Sequence, residues 1–405
     1  MLRLRQAPRP RRRGVRQVRK EGPGIGKRLK HIIAPLAATL LLAALGSARG
    51  AWKQAPFKTA ANPSCLIAAA GDTMLDRGVA LALHERGEGW AFSGAGEILR
   101  LADIAFVNLE TSVSYRGSRM PGKGIWFRTS PERLPLLKEA GIDMVSAANN
   151  HIMDYGEVSL LDTLSHLDEA GIMHVGAGKD LKAARLGRIF QIKGLKVGFL
   201  AYSDFWDIFW TPEYRRTFAA SADEPGMAPA IRAFMEEDIR RLKLLSNFVV
   251  VSVHWGDEYM TMPNAKQVER AHAAIDAGAD VVLGHHPHVL QPFEAYKSGI
   301  VFYSLGNFVF DQKKPRTTES IIALIRLEKG RPPEAEVVPM RITDSRPAPM
   351  GRADGSELLH RLSDGSALLG TDLYVYEGRG YLSAGSMKPS MLLERMHPHA
   401  FKATR

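Results

Sequence analysis

Apolar runs that end in polar clusters recur along this chain. The run 65–70 leads into Gly71-Asp72, and 103–107 leads into Asn108-Leu109-Glu110. The run 142–147 leads into Asn149-Asn150-His151, and 247–253 delivers His254. The run 279–283 leads into Gly284-His285-His286-Pro287-His288. Short branched, apolar runs bounded by polar residues read as buried strands. Polar clusters at several strand ends predict one shared site, since open α/β sheets gather ligands there. Between these strands the pattern predicts helices over 76–97, 131–140, 156–170, 227–245 and 264–277. Further strands are expected at 172–175, 299–304, 320–327 and 334–342, with a hairpin over 187–202 turning at Lys193-Gly194.

The first half alternates strand and helix, and the later part is richer in antiparallel candidates. That change of rhythm predicts a two-sheet α/β sandwich rather than one doubly wound sheet. Two long connections stand out. The loop 112–130 carries Arg116, Arg119, Lys123 and Arg128, which either meet an anionic substrate or are simply solvated. The loop 203–226 carries Phe205, Trp206, Phe209, Trp210 and Tyr214, which either cover the site or pack on the domain. Beyond residue 343 the periodicity is weak and predicts no chemistry, and no internal repeat is visible.

Charge changes the picture at one end only. Residues 1–30 hold twelve Lys or Arg and one Glu, which accounts for the whole formal charge of +11. No basic excess remains for a nucleic-acid face. The stretch 32–48 has seventeen residues without a charge and follows Lys27, Arg28 and Lys30. It predicts an N-terminal membrane-targeting helix, either an uncleaved anchor or a cleaved signal. The expected divisions are a basic cytoplasmic tail (1–30), a transmembrane anchor or signal peptide (31–49), a linker (50–62), a main domain (63–345) and a C-terminal extension (346–405). The expected placement is single-pass in the inner or cytoplasmic membrane with the domain extracytoplasmic, or periplasmic after cleavage. Cys65 is the only cysteine and lies in an apolar run, so a core thiol is expected and a disulfide framework is excluded.

Asp72, Glu110, Asn150, His254, His286 and His288 are oxygen and nitrogen donors suited to one or two divalent ions, Mn, Zn, Fe or Mg, with no thiolate among them. A carboxylate shared by two close cations offsets their repulsion, and Glu110 is the candidate. Taken singly, Asp72 reads equally as a turn or cap, Glu110 as a solvated carboxylate and Asn150 as a turn former. His151 is expected as a general acid or as a hydrogen-bond donor to the anion formed by attack. Asp154 either orients His151 or caps the following helix. Arg77 either reaches an anionic substrate oxygen or lies on the surface. Asp257 and Glu258 are candidates to hydrogen-bond the histidines.

The motifs Gly71-Asp72-Thr73-Met74-Leu75-Asp76-Arg77, Asn108-Leu109-Glu110, Ala148-Asn149-Asn150-His151, His254-Trp255-Gly256, Gly284-His285-His286-Pro287-His288 and Tyr303-Ser304-Leu305-Gly306-Asn307-Phe308 occur in this order. Through them, over roughly 65–311, the chain resembles the bacterial capsule-synthesis (poly-γ-glutamate biosynthesis, CapA/PgsA) family, related to calcineurin-like metallophosphoesterases. The resemblance implies a four-layer α/β/β/α sandwich of the metallophosphoesterase type and a membrane-associated, extracytoplasmic setting. It also implies an anionic cell-envelope polymer and membrane-embedded synthesis or export proteins as partners. In that pattern Asp72 takes the place of the first-motif aspartate and Glu110 that of the bridging aspartate. Asn150 with His151 matches the Gly-Asn-His motif, His254 the isolated histidine, and His286 with His288 the final pair. Met74 stands where a first-motif histidine is expected, so one metal position lacks a ligand. The implied activity is a metal-dependent hydrolase or transferase acting on an anionic polymer. A phosphoesterase and a noncatalytic polymer-binding scaffold are the alternatives.

Overall fold

The strand β1 (Ser64–Thr73) is buried from Cys65 onward because chain covers it on every side. It pairs in parallel with β2 (Ile104–Leu109) and antiparallel with the strand Glu319–Glu328. The structure, a computed structural model, describes residues 62–209, 215–385 and 389–396. β2 pairs in parallel with β3 (Met144–Ser146), and β3 with the strand Met173–Val175. On the other side of Glu319–Glu328 lie Glu334–Thr343, Arg379–Ser383 and Tyr374–Tyr376 in that order, completing the larger sheet's main path.

A second sheet has the parallel strands β4 (Leu195–Ser203), β5 (Phe248–His254), β6 (Val281–His285) and β7 (Gly299–Phe302) at its centre. The antiparallel strands Arg188–Ile192 and Phe293–Tyr296 flank them. The two sheets share one apolar core. Ile67, Ala69, Phe106 and Met144 of the first meet Phe199, Val250, Leu283 and Phe302 of the second. Phe106 and Phe199 stack with ring centroids 5.9 Å apart. Strand alternation sends Val249, Val251 and Val253 to the opposite face. There they pack with Met235 and Ile239 of α1 (Arg232–Lys243) and Ala271 and Ile275 of α2 (Ala265–Asp276). α2 starts at a capping box, with Asn264 accepting from the Gln267 main-chain N–H and the Gln267 side chain accepting from that of Asn264.

Local chemistry explains where patterning succeeded and where it slipped. Lys193 and Gly194 both have positive φ (49° and 83°), the geometry of a tight hairpin turn matching strand twist. The helix expected over 76–97 stops at Arg86, because Gly87 turns the backbone to φ 97°. Two short helical pieces, Trp90–Phe92 and Gly96–Leu99, follow. The helix expected from 227 begins at Arg232, since Gly226–Met227 pairs instead with Ala177–Gly178. The weakly patterned region after 343 contains the helix Arg352–Ala367 and three strands of the larger sheet, Arg346–Pro349, Tyr374–Tyr376 and Arg379–Ser383.

The expectation of a membrane-targeting helix is corrected here. Among the described residues no helix is long and apolar enough to cross a membrane. The longest, Arg352–Ala367, has sixteen residues and carries several charges along its length, whereas a span needs about 20 apolar ones. The segment 31–49 on which that expectation fell lies outside the described residues. The single-pass placement, the extracytoplasmic setting and the membrane partners built on it are withdrawn with it.

One buried acid in the larger sheet makes stability pH-dependent. Glu336, 4% exposed, has one carboxylate oxygen without a hydrogen-bond partner and Arg379 no nearer than 3.7 Å. Burial pushes its carboxyl up to about 6, against the opposing pull of Arg379. A raised acid favours the protonated folded state, so stability falls as pH rises from the unfolded value near 4.5 to about 6, then levels. Urea midpoints across that window should show wild type losing about 2 kcal/mol relative to Glu336→Gln. Parallel curves for the two proteins would show that Glu336 is not the source.

Candidate metal centre

The site forms where parallel strands of both sheets end. Asp72 lies at a register irregularity of β1, opposite both Asn108 of β2 and Asn307. This irregularity redirects the Asp72 side chain out of the ladder. It is possible because Gly71 has no side chain: a Cβ there would stand 1.9 Å from the Gly306 carbonyl oxygen. Glu110 follows the end of β2, Asn150 and His151 follow β3, His254 closes β5, and His286 and His288 follow β6. His286 and His288 have φ of 95° and 58°, backbone rarely adopted by side-chain-bearing residues and kept where surroundings enforce it.

The ligand atoms of Asp72, Glu110 and His254 all lie within 4.8 Å of one another, as do those of Glu110, His286 and His288. Glu110 is thus common to two buried sets. Both its carboxylate oxygens are buried without a hydrogen-bond partner. The Nε2 atoms of His151, His254 and His288 stand 3.8, 3.8 and 3.9 Å from its Oε1. Those gaps are too long for hydrogen bonds. They are close to the spacing of atoms that share an ion, where bonds of about 2 Å set ligand atoms roughly 3–3.5 Å apart. An unpartnered buried carboxylate is costly, and a divalent cation is the group that satisfies it. The residues therefore fit a divalent ion.

Neighbouring amides fix the donors. Asn108 Nδ2 donates to Asp72 Oδ1 at 2.9 Å and lies 3.2 Å from His254 Nδ1, while Asn149 Nδ2 holds Asn108 Oδ1 at 3.2 Å. His254 Nε2 lies 3.0 Å from Asn150 Oδ1, so these two atoms face the same point. His288 Nδ1 donates to Asn307 Oδ1 at 2.9 Å, which leaves Nε2 directed toward Glu110. Asn108, Asn149 and Asn307 are the contributions that residue-by-residue reading undervalued. Their signal in the sequence is proximity to the chemical residues. His285 lies 3.5 Å from Asp72 Oδ1. Asp257 accepts from Asn264 at 2.8 Å rather than from a histidine, and Glu258 acts on His288 through its charge. Met74 joins neither set, and its sulfur accepts from the Asp76 N–H at 2.9 Å.

The electrostatics follow from burial and mutual proximity. Burial holds His254 and His286 well below the usual histidine range, in the neutral form that ligates metals. Burial, reinforced by Asp72, drives the Glu110 carboxyl well above its ordinary value. For His288 burial pulls downward, but the Glu110 and Asp72 carboxylates outweigh it and push the imidazole up to about 9. A cation entering the site must displace those protons.

His151 and Asp154 meet, with Nδ1 donating to Oδ2 at 2.7 Å. The carboxylate also accepts from Phe127 N at 2.6 Å and pairs with the buried ammonium of Lys123, so Asp154 is not the cap of the helix Gly156–Glu169. Burial lifts the Asp154 carboxyl to about 7 despite Lys123. Burial and the Lys123 charge hold His151 well below its ordinary value. Lys123, one of the basic loop residues, is thus an internal support. Arg77 is not brought to the donors: its guanidinium pairs with Asp311 and lies 4.6 Å over the Phe127 ring. Phe205, from the aromatic loop, covers the centre with its ring 4.0 Å from that of His286.

Residues 66–312 match the family described as "Bacterial capsule synthesis protein PGA_cap". The "PGA biosynthesis protein CapA" of Bacillus subtilis (strain 168) is 36% identical over 282 residues, 69% of this chain and 72% of that one. The "Capsule biosynthesis protein CapA" of Bacillus anthracis is 32% identical over 359 residues, 86% of this chain and 83% of that one. A "Probable polyglutamine synthesis accessory protein" of Mycobacterium tuberculosis is 31% identical over 276 residues, 64% of this chain and 71% of that one. The crystal structure of TT1561 of Thermus thermophilus covers 65% of this chain and 98% of its own at 14% identity and a TM-score of 0.35, a likeness that carries neither fold nor function across.

Proposed function

The chain belongs to the bacterial capsule synthesis family matched by residues 66–312, and from that premise we propose that it is a metal-dependent hydrolase or transferase acting on an anionic capsule polymer of the poly-γ-glutamate type. Its role in capsule or poly-γ-glutamate biosynthesis follows from its relatives, and the chemistry is our reading of the site. One observation carries it: the buried Glu110 carboxylate, without a hydrogen-bond partner, is common to two sets of ligand atoms.

Asp72, Glu110, Asn150, His254, His286 and His288 would hold one or two divalent ions, Mn, Zn, Fe or Mg. When bound, such an ion supplies a nucleophilic water near neutral pH and positive charge for a developing oxyanion. Asn108 and Asn307 hold Asp72, His254 and His288 in their ligating orientations. Phe205 limits water around His286. Asp154 keeps the His151 proton on Nδ1, so Nε2 faces the centre as a lone pair. To act as the general acid, His151 Nε2 first takes a proton and then returns it to the leaving nitrogen. The same set of donors, holding such ions, would serve a phosphorus centre, and a phosphoester substrate is the second reading. Met74, which supplies no ligand, favours the noncatalytic alternative of a polymer-binding component.

Metal analysis of wild type should return near-stoichiometric Mn or Zn, and the double variant His254→Ala/His286→Ala should lose it. Metal retained by that variant would remove the ligand assignment. A panel of poly-γ-glutamate, muropeptides and phosphodiesters, each with Mn and Zn, then distinguishes the readings. Amide cleavage supports the first and phosphodiester cleavage the second. Polymer binding without turnover means a scaffold.

A further inference from the structure

Two arginines beside the metal centre lack the acid that their neighbours have. Arg116 pairs with Asp162 at 2.7 Å, Arg77 with Asp311, and Lys123 with Asp154. Arg119 and Arg128 have no carboxylate partner among the described residues; both converge on Tyr155 instead. Arg119 Nε donates to the Tyr155 hydroxyl at 3.4 Å, and its guanidinium lies 5.2 Å from the Trp126 ring. The Arg128 guanidinium lies 3.7 Å over the Tyr155 ring, and its Nη1 donates to the Arg116 carbonyl oxygen at 3.3 Å. Asp76 accepts from the main-chain N–H of Arg128 at 2.9 Å.

The surrounding loop is held in place. Met120 N donates to the Asp154 carbonyl oxygen, and Trp126 Nε1 to that of Met120, each at 2.9 Å. Gly117, at φ 86°, lets the loop press so close that a Cβ would stand 2.1 Å from the Tyr155 carbonyl oxygen. The arginines also lie next to the chemistry. Tyr155 follows Asp154, and Arg128 follows Phe127, whose ring stacks on His151 at 3.9 Å. Two positive charges gathered about one tyrosine, Arg128 over its ring and Arg119 at its hydroxyl, repel each other and are relieved by an anion. A guanidinium stacked on an aromatic face keeps its N–H edge free, and that planar fork matches a carboxylate.

We propose that Arg119 and Arg128, seated on Tyr155, form an anion subsite that takes a side-chain carboxylate of an extended polycarboxylate while a neighbouring repeat lies at the metal centre. This deepens the polymer reading above and rests on it. The site belongs to specificity, separate from the metal ligands.

The test is titration calorimetry on the full chain in chelator, so that binding is read without metal or turnover. The probes are a defined oligo-γ-glutamate, its amidated neutral analogue, and linear polyphosphate of similar length. Wild type should bind the oligo-γ-glutamate best and the neutral analogue at least about tenfold more weakly. Arg119→Gln and Arg128→Gln should each weaken binding about tenfold, and the double variant about a hundredfold. Melting temperature and metal content should stay at wild-type values, and Arg352→Gln, a distant exposed arginine, should change nothing. Affinity within twofold of wild type in the double variant, no binding by wild type, or equal binding of polyphosphate overturns the proposal. If the subsite result holds but the protein keeps no metal and cleaves nothing, only the hydrolase reading falls. Metal-loaded, active protein whose affinity ignores both substitutions means only the subsite falls.

Discussion

Gly284→Ala is expected to destabilise the protein by at least about 3 kcal/mol, beyond the usual range for an added core methyl. A Cβ at Gly284 would stand 1.9 Å from the Tyr303 carbonyl oxygen and 2.7 Å from Trp255 Nε1. Neither can retreat cheaply. Tyr303 and Trp255 are fully buried, and Trp255 Nε1 donates to that same Tyr303 oxygen at 2.9 Å. The methyl would therefore force β6 away from its neighbour and break a buried hydrogen bond. Because β6 leads directly to His286 and His288, metal affinity should fall with stability. Equilibrium urea unfolding, with and without Mn, measures both. An unchanged midpoint would show that the strands open there more easily than the geometry allows.

Glu110→Gln separates fold from site with effects of opposite sign. At a metal concentration a hundred times the dissociation constant, the wild type should gain about 2.7 kcal/mol from binding. Glu110→Gln should gain almost nothing, having lost the donor common to both ligand sets. In chelator the variant should be at least as stable as wild type, since a neutral amide replaces a buried carboxyl that has no hydrogen-bond partner. Activity, where wild type shows it, should fall by at least about a thousandfold with the lost electrostatic stabilisation. Thermal melts with graded Mn and with chelator read the first two quantities. A variant that is stabilised by metal as strongly as wild type would show that Glu110 is no ligand.

The strands and their polar ends were legible because burial on both faces leaves unbroken apolar runs such as Phe248-Val249-Val250-Val251, and the chain changes character where each run meets the site. The chemical residues could be named because carboxylates and imidazoles are rarely buried without a purpose. What patterning missed is relational. Asn108 looks like a strand-end amide until its register opposite Asp72 is known. Lys123 looks like one more basic loop residue until the loop folds inward and brings it to Asp154. Asp154 read equally as a helix cap, and only the tertiary contact with His151 decides its partner. The helix Arg352–Ala367 stayed hidden because its glycines and serines weaken the periodic signal, although Leu358, Leu359 and Leu362 are buried against the sheets.

The candidate donors are divided between the two sheets: Asp72, Glu110 and Asn150 lie at or just past strand ends of one, and His254, His286 and His288 at or just past strand ends of the other. An ion held by both halves would act as a clasp between them. Its capture would then depend on the packing of the two sheets, to which the Phe106–Phe199 contact belongs. A substitution far from the ions that loosens that contact would register first as weakened capture.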